Sequence, residues 1–304
     1  MTTEIKRIVL YGGNKLSMMF YLGIRKYFPH LYITVVYLYT GFINIPDPIA
    51  ENAWAKISYI KYGDYDTLEA VFQGNDAIIC TLDSKDTRYQ IGLINTAEAA
   101  GIKVLVPTHY GIDVDTPILS KYSQRVDIRK IYRALKKSSL KYIIVAAGFS
   151  VEDFLAPHFG WDFANNSVLI HGDGTSVNSF TPIADLVRYT VAAVLRIDEF
   201  HGRKLRIATY TLSVLDWVAA VEAATGQKFL VRHQKQHPPL RDLKKTNGMS
   251  VAWWRAKCEM INILDQGGGL VDWSPHPLDN SLLPEVVPTP INEIIQKAYS
   301  LAHK

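Results

Sequence analysis

His109 is the side chain best placed to move a proton. It follows the apolar run Lys103–Val106, and an imidazole with an ordinary pKa near ~6.5 can act as acid or base at neutral pH. Tyr110 stands beside it, and Asp113 and Asp115 in the segment GIDVD are close enough in sequence to orient the ring. The plainer readings are a surface histidine hydrogen-bonded to a loop carbonyl, and loop carboxylates that cap turns. Asp127 is read either as the N-cap of the helix that follows or as a catalytic acid. Lys85, after Asp83 and Ser84, follows the run Ala77–Thr81 and is either a ligand contact or a solvated loop residue. Phe149, Ser150, Asp153 and Phe154 follow the run Tyr142–Ala146 and are candidates to line a substrate pocket. Trp253, Trp254 and Trp273 are candidates for its apolar wall, although aromatic side chains more often belong to a core.

Other chemistries lack their spacing. His158, His171, His233, His237 and His276 show no H-E-x-x-H pattern, and no G-x-S-x-G elbow occurs. Metal-dependent and serine hydrolysis are therefore disfavoured, and no metal site is expected.

The candidates share a position: each follows a short apolar run. Runs at 7–11, 31–39, 77–81, 103–106 and 142–146 read as strands, and the segments 16–27, 66–72, 88–100 and 127–137 between them read as helices. Such alternation builds a parallel sheet with helices on both faces, an α/β doubly wound architecture. Ligands in that architecture bind beyond the carboxyl ends of the strands, where Gly12–Lys15 also falls. After residue 150 the pattern loosens. Asp173-Gly174 reads as a hairpin turn, 184–195, 213–225 and 290–302 as helices, 205–209 as a strand and 232–247 as an exposed loop. Residues 1–155 are thus expected to form a nucleotide-binding-type domain. Residues 156–304 are expected to form a smaller α+β substrate region, of which about 183–224 returns to the sheet.

The 304 residues suffice for a sizeable core, and 48% hydrophobic against 20% charged residues excludes intrinsic disorder. A net charge of +4 without a basic run does not suit nucleic acid. Two cysteines, Cys80 and Cys258, are too few for a disulfide framework. The N-terminus lacks a signal-peptide pattern, and Leu31–Tyr39 is too short to cross a bilayer. A cytoplasmic protein, monomeric or homodimeric, with a small-molecule substrate is the expectation.

Several segments in order resemble the NmrA-like and isoflavone reductase-like branch of the atypical short-chain dehydrogenases. They are IVLYGGNK, GDYDTLEAVFQGNDAIIC, YQIGLINTAEAAGIKVLVPTHYG, LKYIIVAAGF and GDGTSVNSFTPIADLVRYTVAAV. The resemblance covers nearly the whole chain and implies a Rossmann-like fold. It also implies an NADP site at a G-x-x-G-x-x-G turn, whose glycines serve the turn, the pyrophosphate and helix packing. Gly12 and Gly13 match the start of that turn, but Lys15 and Met18 hold its second and third glycine positions. The Lys15 ammonium could bind phosphate directly. Tyr37 stands where the family places an arginine for the 2′-phosphate. The reductases' lysine aligns with Ile128, and a small shift would bring Lys130 there.

These departures lead to one expectation and two alternatives. The expectation is a redox-neutral isomerase or cyclase of specialised metabolism. It would act without cofactor on an aromatic or polycyclic substrate, using His109 with Tyr110 and Asp127 or Asp113 in an apolar pocket. The first alternative is an NADPH-dependent reductase with Lys15 on the pyrophosphate, Lys85 in the cofactor cleft and Lys130 in the acid–base role. The second is a non-catalytic dinucleotide-sensing regulator.

Overall fold

Strand runs of β-branched and apolar residues pair in parallel, and the alternation of their side chains explains both layers of the core. The computed structural model describes residues 2–39, 53–82, 89–121, 124–234, 251–273 and 275–303. Its first half runs β1 (Arg7–Gly12), α1 (Lys15–Tyr27), β2 (Tyr32–Tyr39), β3 (Ala55–Lys61), α2 (Tyr65–Phe72), β4 (Ala77–Cys80), α3 (Gln90–Ala99), β5 (Val104–Val106), α4 (Gln124–Lys137), β6 (Lys141–Tyr142) and β7 (Ile144–Ala146). The strands form a parallel sheet in the order β3-β2-β1-β4-β5-β6. Ile8 and Leu10 of β1 face one layer, with Phe20 and Ile24 of α1. Val9 and Tyr11 face the other, with Leu68 and Phe72 of α2, Leu93 of α3 and Ile131 of α4. This is a Rossmann-like doubly wound sheet. The strand order reverses between β1 and β4, where a crevice opens at the carboxyl ends.

The second half runs β8 (Phe149–Ser150), α5 (Val151–Phe154), β9 (Trp161–Asp162), β10 (Ser167–His171), β11 (Asn178–Thr181), α6 (Ile183–Leu195), α7 (Ile197–Phe200), β12 (Lys204–Arg206), β13 (Tyr210–Leu212), α8 (Val214–Thr225), β14 (Leu230–Gln234), α9 (Val251–Asp265) and α10 (Ile291–Ala302). From the stretch 183–224, α6 packs against the sheet through Val187 and Val191, and β12 pairs with β7 in parallel. Helix α8 instead buries Trp217 and Val221 in a second cluster with Phe154, Trp161, Phe180 and Ile295. Small sheets β14-β10-β9 and β13-β11-β8 complete this region.

Four expectations need correcting, the first being that the exposed loop expected over 232–247 begins inside β14, while 235–247 lie outside the described residues. Strand β3 was not expected at 55–61. Asp173-Gly174 is not a hairpin turn: the flanking β10 and β11 belong to different sheets, and the Asp173 carboxylate instead accepts the Thr175 N–H at 2.9 Å, a local Asx-type turn. The strand expected over 205–209 is the shorter β12.

Candidate functional site

A cavity of about 930 Å³ opens at the carboxyl ends of β1, β4, β5 and β7. Its first wall is built by the turn between β1 and α1. Gly12 and Gly13 have φ of +153° and +66°, which side-chain-bearing residues rarely adopt. A Cβ on Gly13 would stand 2.5 Å from the Tyr37 ring, and one on Gly12 would stand 2.7 Å from Thr81 Oγ1. Both glycines are thus required by close approach of the protein's own side chains. Asn14 then starts α1 through a capping box: its Oδ1 accepts the Ser17 N–H at 3.0 Å, and Ser17 Oγ accepts the Asn14 N–H at 3.2 Å. The Asn14 Nδ2–H reaches across to the Thr81 carbonyl at 2.5 Å, tying the turn to the end of β4. Lys15, the first helical residue, lines the cavity. Met18, at the third glycine position, is partly buried against the core.

His109, Tyr110 and Gly111 from the loop after β5 form the floor. The His109 ring is part-buried, with Nε2 2.8 Å from the Ile112 carbonyl oxygen. A carbonyl only accepts, so Nε2 carries the proton and Nδ1 is the ring's acceptor. Burial, with a contribution from Lys204, lowers the His109 pKa despite the opposing influence of the Ile112 bond and Asp113. The shift favours the neutral ring at pH 7. The loop-carbonyl bond of the plainer reading and a place in the cavity hold together. Tyr110 also lines the cavity, but its hydroxyl donates to the Cys80 carbonyl at 2.7 Å, and burial raises its pKa well above the usual value. It acts as a wall rather than as a proton donor.

Asp113 does not bond the imidazole. It is fully buried and accepts from Lys204 Nζ, from Arg206 Nε at 2.9 Å and from the Asp115 N–H at 3.0 Å. Lys130 is exposed on α4 and is absent from the cavity wall, whereas Ile128 lines it. A helical residue two places along points elsewhere, so no small shift brings Lys130 in. Asp127 falls within α4, but its side chain lies outside the described residues. The same is true of Trp253 and Trp254 on α9, and Lys85 lies outside them altogether.

Phe149, Ser150 and Asp153 line the cavity. Phe154 does not: it is 1% exposed and packs on Phe180 at 4.7 Å and Trp217 at 5.6 Å, within the core of the second region. One helical step from Asp153 turns its ring inward. Two ionisable wall residues were not anticipated. His158 stands in the turn after α5, and Lys257 comes from α9. Burial lowers the His158 pKa, with Asp153 opposing and Lys257 and Lys15 assisting. Lysines from both halves of the chain therefore act on one imidazole. Leu16, Met19, Leu82, Phe159 and Met260 supply apolar wall.

A phosphate-bearing ligand fits this wall in one respect. The N-terminus of α1, a 13-residue helix, carries Lys15 on the cavity, so a cation and a helix dipole act together on an anion. A Cβ at Gly12 or Gly13 would meet Thr81 or Tyr37, so the turn packs on the protein itself, and Lys15 is the cation it presents to the cavity. Among the described residues no cluster of His, Cys, Asp and Glu could hold a metal ion, and no helix is long and apolar enough to cross a membrane.

Doubly wound topology with a cavity at the strand ends defines a Rossmann-like α/β protein. The NmrA-like family model matches residues 51–274, and the chain belongs to that family. It is 25% identical over 173 residues to oxidoreductase aprR of Aspergillus flavus, covering 55% of this chain and 58% of that protein. It is 28% identical over 148 residues to the isoflavone reductase homolog A622 of Nicotiana glauca, covering 44% and 46%. The alignments thus span about half the length of these curated relatives. Among solved structures, AtPrR2 with NADP+ and (+)pinoresinol superposes with a TM-score of 0.74 at 14% identity, covering 98% of this chain and all of that one. At such identity the likeness establishes the fold alone. The NADP+ in that neighbour gives no support to the cofactor-free expectation.

Proposed function

We propose that the chain is a small-molecule reductase that binds an NADP-type dinucleotide and an aromatic substrate in the one cavity. The observation that carries this reading is Lys15, set at the amino end of α1 on the cavity wall. Lys15 and the helix terminus would hold the diphosphate, and the nicotinamide, when bound, supplies a hydride. The family and the names of its relatives, oxidoreductase and isoflavone reductase homolog, support the same reading.

The chain's own residues do the rest. Phe149, Phe159, Leu82, Ile128 and Met260 exclude water and orient an aromatic ring. His109, neutral and with Nδ1 as acceptor, would take a proton from an acidic group of the substrate and return it to the product anion, while the proton that accompanies the hydride comes from solvent. Ser150 and Thr181 also line this wall, with the Ser150 hydroxyl bonded to Glu152 and the Asp153 N–H and the Thr181 hydroxyl to the Ile207 carbonyl.

One observation favours a second reading. Ile128 lines the cavity at the position aligned with the reductases' lysine. A base without that lysine suits redox-neutral isomerisation or cyclisation, for which His109 alone would suffice. The test is incubation with a panel of plant and fungal aromatic compounds, followed by mass spectrometry. Nicotinamide oxidation and a product two hydrogens heavier support the reductase. A product of unchanged mass, formed without nicotinamide, overturns it in favour of the second reading.

A further inference from the structure

Behind His109 lies an ion network that neither proposed reading uses. The carboxylate of Asp113 is fully buried, and its two oxygens are taken by Lys204 and Arg206 of β12. Lys204 also bonds Asp115 Oδ2 at 2.6 Å, and Arg129 of α4 bonds Asp115 Oδ1 at 2.7 Å. Three cations on two elements thus grip two carboxylates of one loop. The Tyr132 ring of α4 closes the network, 5.9 Å from Lys204 Nζ.

The gripped loop is the one that carries the imidazole. The residue before Asp113 is Ile112, whose carbonyl holds His109 Nε2 at 2.8 Å. Backbone bonds fasten the same loop to the end of β7: the Ala147 N–H donates to the Tyr110 and Gly111 carbonyls, both at 3.0 Å. Strand β12 is the neighbour of β7, with Lys204 opposite Ile144 and Arg206 opposite Ala146. Its register therefore brings both cations beneath the loop. An isolated buried carboxylate in a loop would be too costly to keep charged. A carboxylate tied to two cations on a sheet strand instead fixes its own backbone, and with it the adjoining Ile112 carbonyl.

We infer that Lys204 and Arg206 are positioning residues for His109: by locking Asp113 to β12 they hold the Ile112 carbonyl that sets the ring's orientation and tautomer. The inference rests on the reading of His109 as the acid–base group only for its consequence in turnover. The charged groups that act on the ring are Lys204 and Asp113, and the other titratable groups lining the same cavity are Lys15, Asp153, His158 and Lys257.

The test is an NMR titration of the His109 imidazole in the full chain. In Lys204→Gln a nearby cation is lost while Asp113 remains, so the midpoint rises by about 0.5 unit or more, and the Nε2–H resonance broadens or shifts. Lys204→Arg restores both signals. Arg206→Lys keeps the charge but loses the guanidinium geometry; it moves the Nε2–H resonance and serves if Lys204→Gln does not fold. If the His109 Nε2–H resonance is unchanged in whichever of the two variants folds, the inference is overturned whether or not the midpoint moves, because loss of the Lys204 charge alone raises the midpoint. If the signals move as expected while turnover keeps its pH profile, positioning stands and the catalytic role of His109 fails.

Discussion

Replacing Asp113 by asparagine preserves the shape of the side chain and removes its charge. In the native protein the carboxylate is fully buried and receives three donors, from Lys204, Arg206 and the Asp115 N–H. The side chains of Lys204 and Arg206 are only 12% and 13% exposed, so the variant leaves two poorly solvated cations short of an anion. Removing one member of a buried ion pair costs about 3–5 kcal/mol. Asp115 still pairs with Lys204 at 2.6 Å, which reduces the loss to about 2–4 kcal/mol. Burial alone would raise the Asp113 pKa, but the bond from Lys204 and the charges of Lys204 and Arg206 outweigh it and hold the group below the usual carboxylate value. A carboxylate with a depressed native pKa stabilises fully above its unfolded value of ~3.9, and loses that stabilisation as pH falls through the native value. The difference between wild type and Asp113→Asn should therefore be largest above about pH 4 and close below it, as wild type protonates its own Asp113. Urea unfolding followed by tryptophan fluorescence at neutral and acid pH measures it. A loss under about 1 kcal/mol at pH 7, or one that does not change with pH, refutes the claim that the charge of Asp113 is structural.

Further outcomes follow from the same geometry. His109→Ala should leave the Ile112 carbonyl unpaired at a cost of about 1–3 kcal/mol, while His109→Gln keeps a donor there and most of the stability. Both should lower turnover by about 10²–10⁴-fold, so comparing their kcat and unfolding curves separates chemistry from structure. Because the native His109 pKa lies below its unfolded value, its contribution to stability is full above about pH 6.5 and weakens as pH falls below that value. Thermal unfolding of wild type should show this slope, and His109→Gln should lose it. Gly13→Ala places a Cβ 2.5 Å from the Tyr37 ring at a φ of +66°, so it should destabilise the chain by more than the ~1 kcal/mol of an ordinary glycine replacement. Differential scanning calorimetry checks it.

Much of the sheet was legible because its strands are buried on both faces. IVLY, YITVVYLY, AIIC and VLV are continuous apolar runs for that reason. Strand β3 was not legible because it is an edge strand: AKISYIK carries exposed Lys56 and Lys61 and a 40% exposed Tyr59, so its apolar signal is diluted. The strands after residue 148 are two to five residues long, too short for periodicity to register. The place of His109 and Lys15 on the cavity wall was legible, because they follow β5 and β1. His158 and Lys257 were not, because they reach the cavity from distant segments with no local motif to mark them. Phe154 and Asp153 show how one position decides between core and wall: they are adjacent in sequence, yet only Asp153 lines the cavity.

Calorimetric titration of the purified protein with NADPH, alongside Lys15→Ala, reads whether this cavity takes a dinucleotide through Lys15. Wild type should bind with micromolar affinity, and Lys15→Ala should lose that binding. Absence of detectable heat at millimolar NADPH, or equal affinity in Lys15→Ala, would contradict a dinucleotide site at Lys15.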